Sequence, residues 1–220
     1  METRVSNSRF IATLAPAFTV EEARAFIQCI RAEFSDATHN VPAFVIGHGD
    51  SVTTHCSDAG EPSGTAGRPM LAVLQGSGLG DAVVVVTRYF GGTKLGTGGL
   101  VRAYSGAVRA VVDACPRAIK TPAVTALLVI PYNLLERVRR LAPQHCGTIL
   151  EESFTADVTL TLRFLPEDLP GFQADLLELS NGSIQAEVME QSTILLPMQP
   201  EKYTLPERCL SPLRDHGCSP

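Results

Sequence analysis

Residues Asp81–Phe90 read DAVVVVTRYF. Four consecutive valines leave no alternation of apolar and polar side chains, so both faces of this segment must be covered. That predicts a central strand with other elements packed on each side. Between Thr87 and Ala110 the chain then packs six glycines (Gly91, Gly92, Gly96, Gly98, Gly99, Gly106) among four cations (Arg88, Lys94, Arg102, Arg109). After them Leu100, Tyr104, Ala107, Val108, Val111 and Cys115 recur on one helical face, with Arg102, Ser105 and Arg109 on the other. A buried strand, a glycine-rich loop and an amphipathic helix therefore follow one another.

The segments around this unit read as α/β. Ser8–Ala15 alternates like a strand. Thr19 and Glu22 form a capping box, T-x-x-E, ahead of a helix with Ala23, Phe26, Ile27 and Ile30 on one face. Val41–Gly47 is a second strand, and Pro42 argues that it lies at an edge or a bulge. His48–Gly67 is polar and turn-rich. Arg68–Gln75 reads as a helix starting at Pro69.

Pro116–Pro122 has the composition of a linker. Beyond it the signals run strand (Ala123–Ile130), helix (Leu134, Leu135, Val138, Leu141, with Gly147 as stop), strands (Thr148–Glu152 and Asp157–Phe164), helix (Leu169–Leu179, closed by Asn181-Gly182) and strand (Ser183–Met189). That βαββαβ order is ferredoxin-like. The expected organisation is a domain over 1–116, a second over 123–196, and a proline-rich, disordered tail over 197–220.

Charge narrows the partners. The formal net charge is −5 over the whole chain, which is not the footprint of a nucleic-acid binder. Its distribution is uneven. Gly60–Ala110 holds Arg68, Arg88, Lys94, Arg102 and Arg109 against Glu61 and Asp81, a local excess of positive charge in an acidic chain. No run long and apolar enough to span a bilayer is present, and the polar METRVSNSRF start lacks a signal-peptide core. A cytoplasmic location without membrane association is expected. The six cysteines form no C-x-x-C pair and read as reduced thiols.

The glycine loop matches no nucleotide fingerprint. Gly91 and Gly96 have Walker spacing, but Thr97 stands where lysine is required. Gly96 and Gly98 are followed by Val101 where G-x-G-x-x-G needs glycine. Two readings stay open: an anion site at a helix N-terminus with Lys94 and Arg102 beside it, or glycines that only permit close packing. In "HCSDAGEPSGTAGRPM" (His55–Met70), Ser63 or Thr65 could serve as nucleophile beside His55, Asp58 and Glu61, yet the G-x-S-x-G elbow is absent and the residues equally suit a rigid turn. His39, His48, His55, Cys56 and Asp58 match no zinc spacing. Neither a metal nor a cofactor is expected. Arg137, Arg139 and Arg140 form a short basic run in an otherwise acidic segment and read as a solvated face.

"GEPSGTAGRPML" (Gly60–Leu71) and "VVVVTRYFGGTKLGTGGLVRAYSGAV" (Val83–Val108) resemble the IMPACT family in its bacterial, YigZ-like branch; "SRFIA" and "DATHN" are similar to its flanking motifs. The resemblance implies an N-terminal domain similar to the second domain of ribosomal protein five of the small subunit, and a C-terminal domain similar to domain five of elongation factor G. Eukaryotic members are regulators of translation under stress, so the resemblance implies a role near translation and a stress response. The expected function is a non-enzymatic translation regulator binding RNA or the ribosome, with a protein partner in translation as a further expectation. Arg68, Arg88, Lys94, Arg102 and Arg109 would face phosphates, and Gly91, Gly92, Gly96, Gly98 and Gly99 would allow backbone approach. Asp58, Glu61, Ser63 and Thr65 would give polar support. The alternatives are an enzyme or phosphate-binding protein using Asp58, Glu61 and Ser63, and a protein–protein adaptor.

Overall fold

A computed structural model of the chain describes residues 1–48 and 51–198. It divides into two compact units, Met1–Cys115 and Pro116–Pro220.

The first unit runs β1 (Glu2–Val5), β2 (Ser8–Pro16), α1 (Val20–Glu33), β3 (His39–Ile46), β4 (Thr53–Cys56), α2 (Gly67–Gly76), β5 (Ala82–Tyr89) and α3 (Gly96–Ala114). Its antiparallel sheet has the order β1-β2-β5-β3-β4, which puts the valine strand in the middle. The period of two then splits the valines. Val84 and Val86 join Phe10, Met70, Leu74, Leu100 and Tyr104 in one core with α2 and α3. Val83 and Val85 join Ala23, Ile27, Ile30 and Phe44 in a second core with α1. The cap forms with its return bond shifted by one residue: Thr19 Oγ1 accepts from the Glu22 N–H at 3.1 Å, and the Glu22 carboxylate accepts from the N–H of Phe18, just before the cap, at 2.7 Å.

Three details depart from the sequence expectation. A strand β1 precedes Ser8, joined to β2 by a two-residue turn in which Ser6 and Asn7 both take positive φ; its residues ETRV carry too little apolar pattern to announce it. Pro42 sits in an inner strand rather than at an edge. Its carbonyl accepts from the Ser57 N–H at 3.2 Å on the β4 side, just past the Ala43–Cys56 pair where β4 ends. The missing N–H falls on that same side, where no ladder bond is required. Helix α2 begins at Gly67, so Pro69 occupies its third position, where an N–H would still be without an intrahelical partner.

The second unit runs β6 (Ala118–Ile130), a short 3₁₀ turn (Tyr132–Leu134), α4 (Leu135–Gln144), β7 (Thr148–Phe154), β8 (Val158–Phe164), α5 (Leu169–Leu179) and β9 (Glu187–Pro197). The sheet order β7-β8-β6-β9, antiparallel throughout, is the ferredoxin-like arrangement. Leu128, Ile130, Leu160, Leu162 and Phe164 meet Val138, Phe172 and Leu176 of the two helices in its core.

Here too the strand limits move. Most of the expected linker is strand: β6 starts at Ala118, and Ala118–Pro122 pair with Thr193–Pro197. β8 pairs only from Val124 onward, so Pro122 lies where one side of β6 has no ladder to interrupt. The last strand lies at Glu187–Pro197 rather than Ser183–Met189 because β6 extends its partner that far. At the end of α4 the left-handed residue is Cys146 (φ 54°), not Gly147. Gly147 is needed for space, since a Cβ there would lie 2.2 Å from the Phe164 ring. From residue 199 on, the expected tail lies outside the described residues.

Candidate nucleic-acid interface

The two motif segments lie in the first unit, and the structure treats them differently. In Ser57–Arg68 the polar side chains of Asp58, Glu61 and Thr65 turn inward. The Asp58 carboxylate accepts N–H bonds from Gly64 (2.8 Å), Ala66 (3.1 Å) and Gly67 (2.8 Å), and so fills the N-terminus of α2. Partial burial alone would raise its pKa, but these three backbone bonds outweigh that and hold it below the ordinary value. Thr65 Oγ1 donates to the Pro62 carbonyl at 2.6 Å.

Glu61 is the second anchor. Its carboxylate, 3% exposed, accepts from Arg88 Nη1 at 2.6 Å and from the Tyr104 hydroxyl at 2.7 Å. His39 Nδ1 donates to the Ala59 carbonyl at 2.9 Å, which places its Nε2 at 3.8 Å from the same carboxylate oxygen. Burial and then the Glu61 carboxylate raise the Tyr104 pKa, so the phenol keeps its proton and donates it. The Arg88 guanidinium lies 5.4 Å from the Phe10 ring centre and 5.6 Å from that of Phe90, a cation–π sandwich. One element of each kind — loop, strand β5 and helix α3 — is tied at this point.

The Gly91–Gly99 loop is built the other way. It is anchored at its base, where the Gly91 N–H donates to Ser8 Oγ and a Cβ would lie 2.1 Å from the Asn7 backbone. Beyond Gly91 it opens. Gly92 and Gly96 take positive φ, and added Cβ atoms at Gly92, Gly96 or Gly98 would meet nothing within 4 Å. Helix α3 starts with no side-chain cap and no acidic residue in its first turn. Its first N–H groups carry the helix's partial positive charge, and among the described residues no carboxylate accepts from them. Lys94 and Arg102 are exposed on either side of that start, and Phe90 is 47% exposed at its base.

Comparison with known proteins fits this layout. The Impact N-terminal domain matches residues 6–112, and a domain of unknown function (DUF1949) matches residues 128–183. The IMPACT family member YigZ of Escherichia coli is 42% identical over 188 residues, covering 85% of this chain and 92% of its own. The chain belongs to the IMPACT family. An IMPACT family member of Haemophilus influenzae is 39% identical over 86% of the chain. A crystal structure of a hypothetical protein is 40% identical, covers 86% of this chain and 93% of its own, and superposes with a TM-score of 0.54.

Within this family member, the residues expected at the site separate. Lys94 and the glycines Gly92, Gly96 and Gly98 lie in the loop before α3 and in its first turn, while Arg102 is exposed at the seventh position of the helix, about 9 Å along its axis from Gly96. Arg109 shares the exposed stripe of α3 with Arg102 but stands about 20 Å along the helix from Gly96. Arg68 is exposed in the first turn of α2. Arg88 is the correction: it is 5% exposed and faces Glu61, not solvent, because the central strand carries it into the core. Asp58, Glu61 and Thr65 support the fold from within, while Ser63 is exposed beside Pro62. His48 turns to Asp81 and His55 to Phe44, and no three metal-ligating side chains converge among the described residues. Of the second unit's basic run, Arg139 pairs with Glu136 and Glu152. Sequence reasoning did not place His39, Tyr104 or Phe90 at this region. Tyr104 reads as an ordinary core position, and only the Arg88-x-Phe90 spacing at the end of the strand hints at a ring over a guanidinium.

Among the described residues no helix is long and apolar enough to cross a membrane.

Proposed function

We propose that this chain is a non-enzymatic regulator of translation that binds RNA, free or on the ribosome, through the start of α3. The observation that carries the reading is the uncapped N-terminus of that helix. Glycines open it to solvent, Lys94 and the exposed Phe90 ring stand in the segment leading to it, and Arg102 is exposed at the seventh position of the helix. Phosphate oxygens fit the free N–H groups and the cations. An unpaired base fits the ring, as in single-strand binders. The translation role is what the family resemblance implies, and RNA is its commonest anionic partner in that setting. A catalytic use of Asp58 or Glu61 fits less well, since both carboxylates are already spent on backbone N–H groups, Arg88 and Tyr104.

The test is fluorescence anisotropy with single-stranded RNA across a salt series. Lys94→Ala/Arg102→Ala should flatten the slope of log K against log salt by about 1.4, at about 0.7 per lost contact. Phe90→Ala should weaken binding by about 1–3 kcal/mol with the slope unchanged. If all three proteins bind alike, RNA is not read at the start of α3.

A further inference from the structure

The opposite face of the same sheet carries a second feature that the RNA reading does not use. Between α1 and the β3–β4 edge lies a groove of about 250 Å³. Arg24, Gln28 and Arg31 line it from α1 at i, i+4 and i+7, one stripe of the helix. Ile27, Phe44 and His55 form its floor and wall. Phe44 and His55 are cross-strand partners whose rings lie 5.3 Å apart at 30°.

Its charge is unbalanced. Among the described residues its lining contains two guanidinium groups and no carboxylate. Neither Arg24 nor Arg31 takes part in an ion pair or side-chain hydrogen bond among the described residues. The residue between them on the stripe is Gln28, where a glutamate would have paired with both. Two unpartnered guanidinium forks over one concave surface suit an oxyanion with several acceptor oxygens. The apolar floor and the exposed His55 ring suit a small flat body attached to it. The volume falls below the roughly 300 Å³ at which drug-sized ligand pockets begin, so the occupant is small.

We infer that this groove binds a small phosphate monoester, with its phosphate on Arg24 and Arg31 and its flat or apolar body against Phe44, His55 and Ile27. The site is separate from the start of α3: α1 packs on the Val83/Val85 face, and α3 on the Val84/Val86 face.

The experiment is an NMR chemical-shift titration of the full chain at low salt, with phenyl phosphate, inorganic phosphate and phenol as probes. Phenyl phosphate should saturate one site, with shifts centred on α1, β3 and β4. Inorganic phosphate should bind more weakly at the same place, and phenol weakest. Arg24→Gln/Arg31→Gln should raise the phenyl phosphate dissociation constant roughly tenfold or more per guanidinium removed. His55→Ala should weaken phenyl phosphate while leaving inorganic phosphate unchanged. None of these side chains is in the core, and an unchanged melting temperature confirms that each variant is folded. Lys94→Ala/Arg102→Ala should keep full phenyl phosphate affinity, so the two sites fail or stand separately. The proposal is overturned if no probe saturates, or if the Lys94/Arg102 variant rather than the Arg24/Arg31 variant loses binding. It is equally overturned if the Arg24/Arg31 variant loses only RNA affinity, which would make the groove a second RNA contact.

Discussion

Helices α2 and α3 pack on the same face of the same sheet and begin in opposite ways. The first turn of α2 is filled: the Asp58 carboxylate takes the N–H groups of Ala66 and Gly67, and the Gly67 Cα is pressed against the Ser57 backbone. That of α3 has glycine at its first, third and fourth positions, no capping side chain, and open space at Gly96 and Gly98. Both starts are glycine-rich with basic residues close by, so they look alike on the page. The difference lies in whether the chain supplies its own anion. Where it does, the helix end is architecture. Where no described residue does, the end is open to the outside anion proposed above.

The largest effect should come from cutting the anchor behind the filled end. Glu61→Ala leaves Arg88 buried, charged and without its carboxylate, while Arg88 Nε already lacks a partner. A loss of roughly 3–5 kcal/mol is expected in urea denaturation. A loss below about 1 kcal/mol would mean that the network does not hold the loop against the sheet. Next, Gly67→Ala should cost about 1–3 kcal/mol as a crowding change, because its Cβ would lie 2.8 Å from the Ser57 carbonyl group.

Asp58→Ala removes the internal anion itself, with about 1–2 kcal/mol expected near neutral pH. The loss should depend on pH. The folded-state pKa of Asp58 lies below its ordinary value of 3.8, so its contribution is fully present above that value and disappears as pH falls through the lower, folded one. Stability curves of wild type and variant should therefore run parallel from pH 7 to about pH 5 and converge below about pH 4. A gap that stays constant into acid would assign the effect to packing rather than to the charge.

These contrasts also show what could be read from the chain in advance. The valine run placed the central strand, the periodicity after it placed α3, and Thr19 with Glu22 placed the start of α1, because each signal is local. Pro42 misled because a missing N–H matters only on the side where a ladder bond is required, and the sequence does not show that β4 ends at Cys56. β9 was displaced because its first half, Glu187–Ser192, has no alternating buried apolar pattern and its limits are set by β6, a partner distant in the chain. At the site, glycines and cations were visible as a cluster, but burial was not. Arg88 and Lys94 are six residues apart; one is the core partner of Glu61 and the other is exposed. Only the three-dimensional position of residue 61, 27 residues earlier, decides between them.

The smallest expected change is also the one that separates stability from binding at the open end. Gly98 is the third residue of α3, its φ is not in the left-handed region, and a Cβ would touch nothing within 4 Å. Nothing in the fold requires glycine here. Alanine restricts the unfolded chain and favours the helix, so Gly98→Ala should gain up to about 1 kcal/mol of stability. If a phosphate approaches the α3 backbone as proposed, the same methyl stands in its path, and RNA affinity should fall while the salt slope keeps its two cationic contacts. A more stable protein with weaker RNA binding would show that this glycine is kept for what comes to the helix end from outside. A more stable protein with unchanged binding would take the backbone of Gly98 out of the interface and leave Lys94, Arg102 and Phe90 to form it.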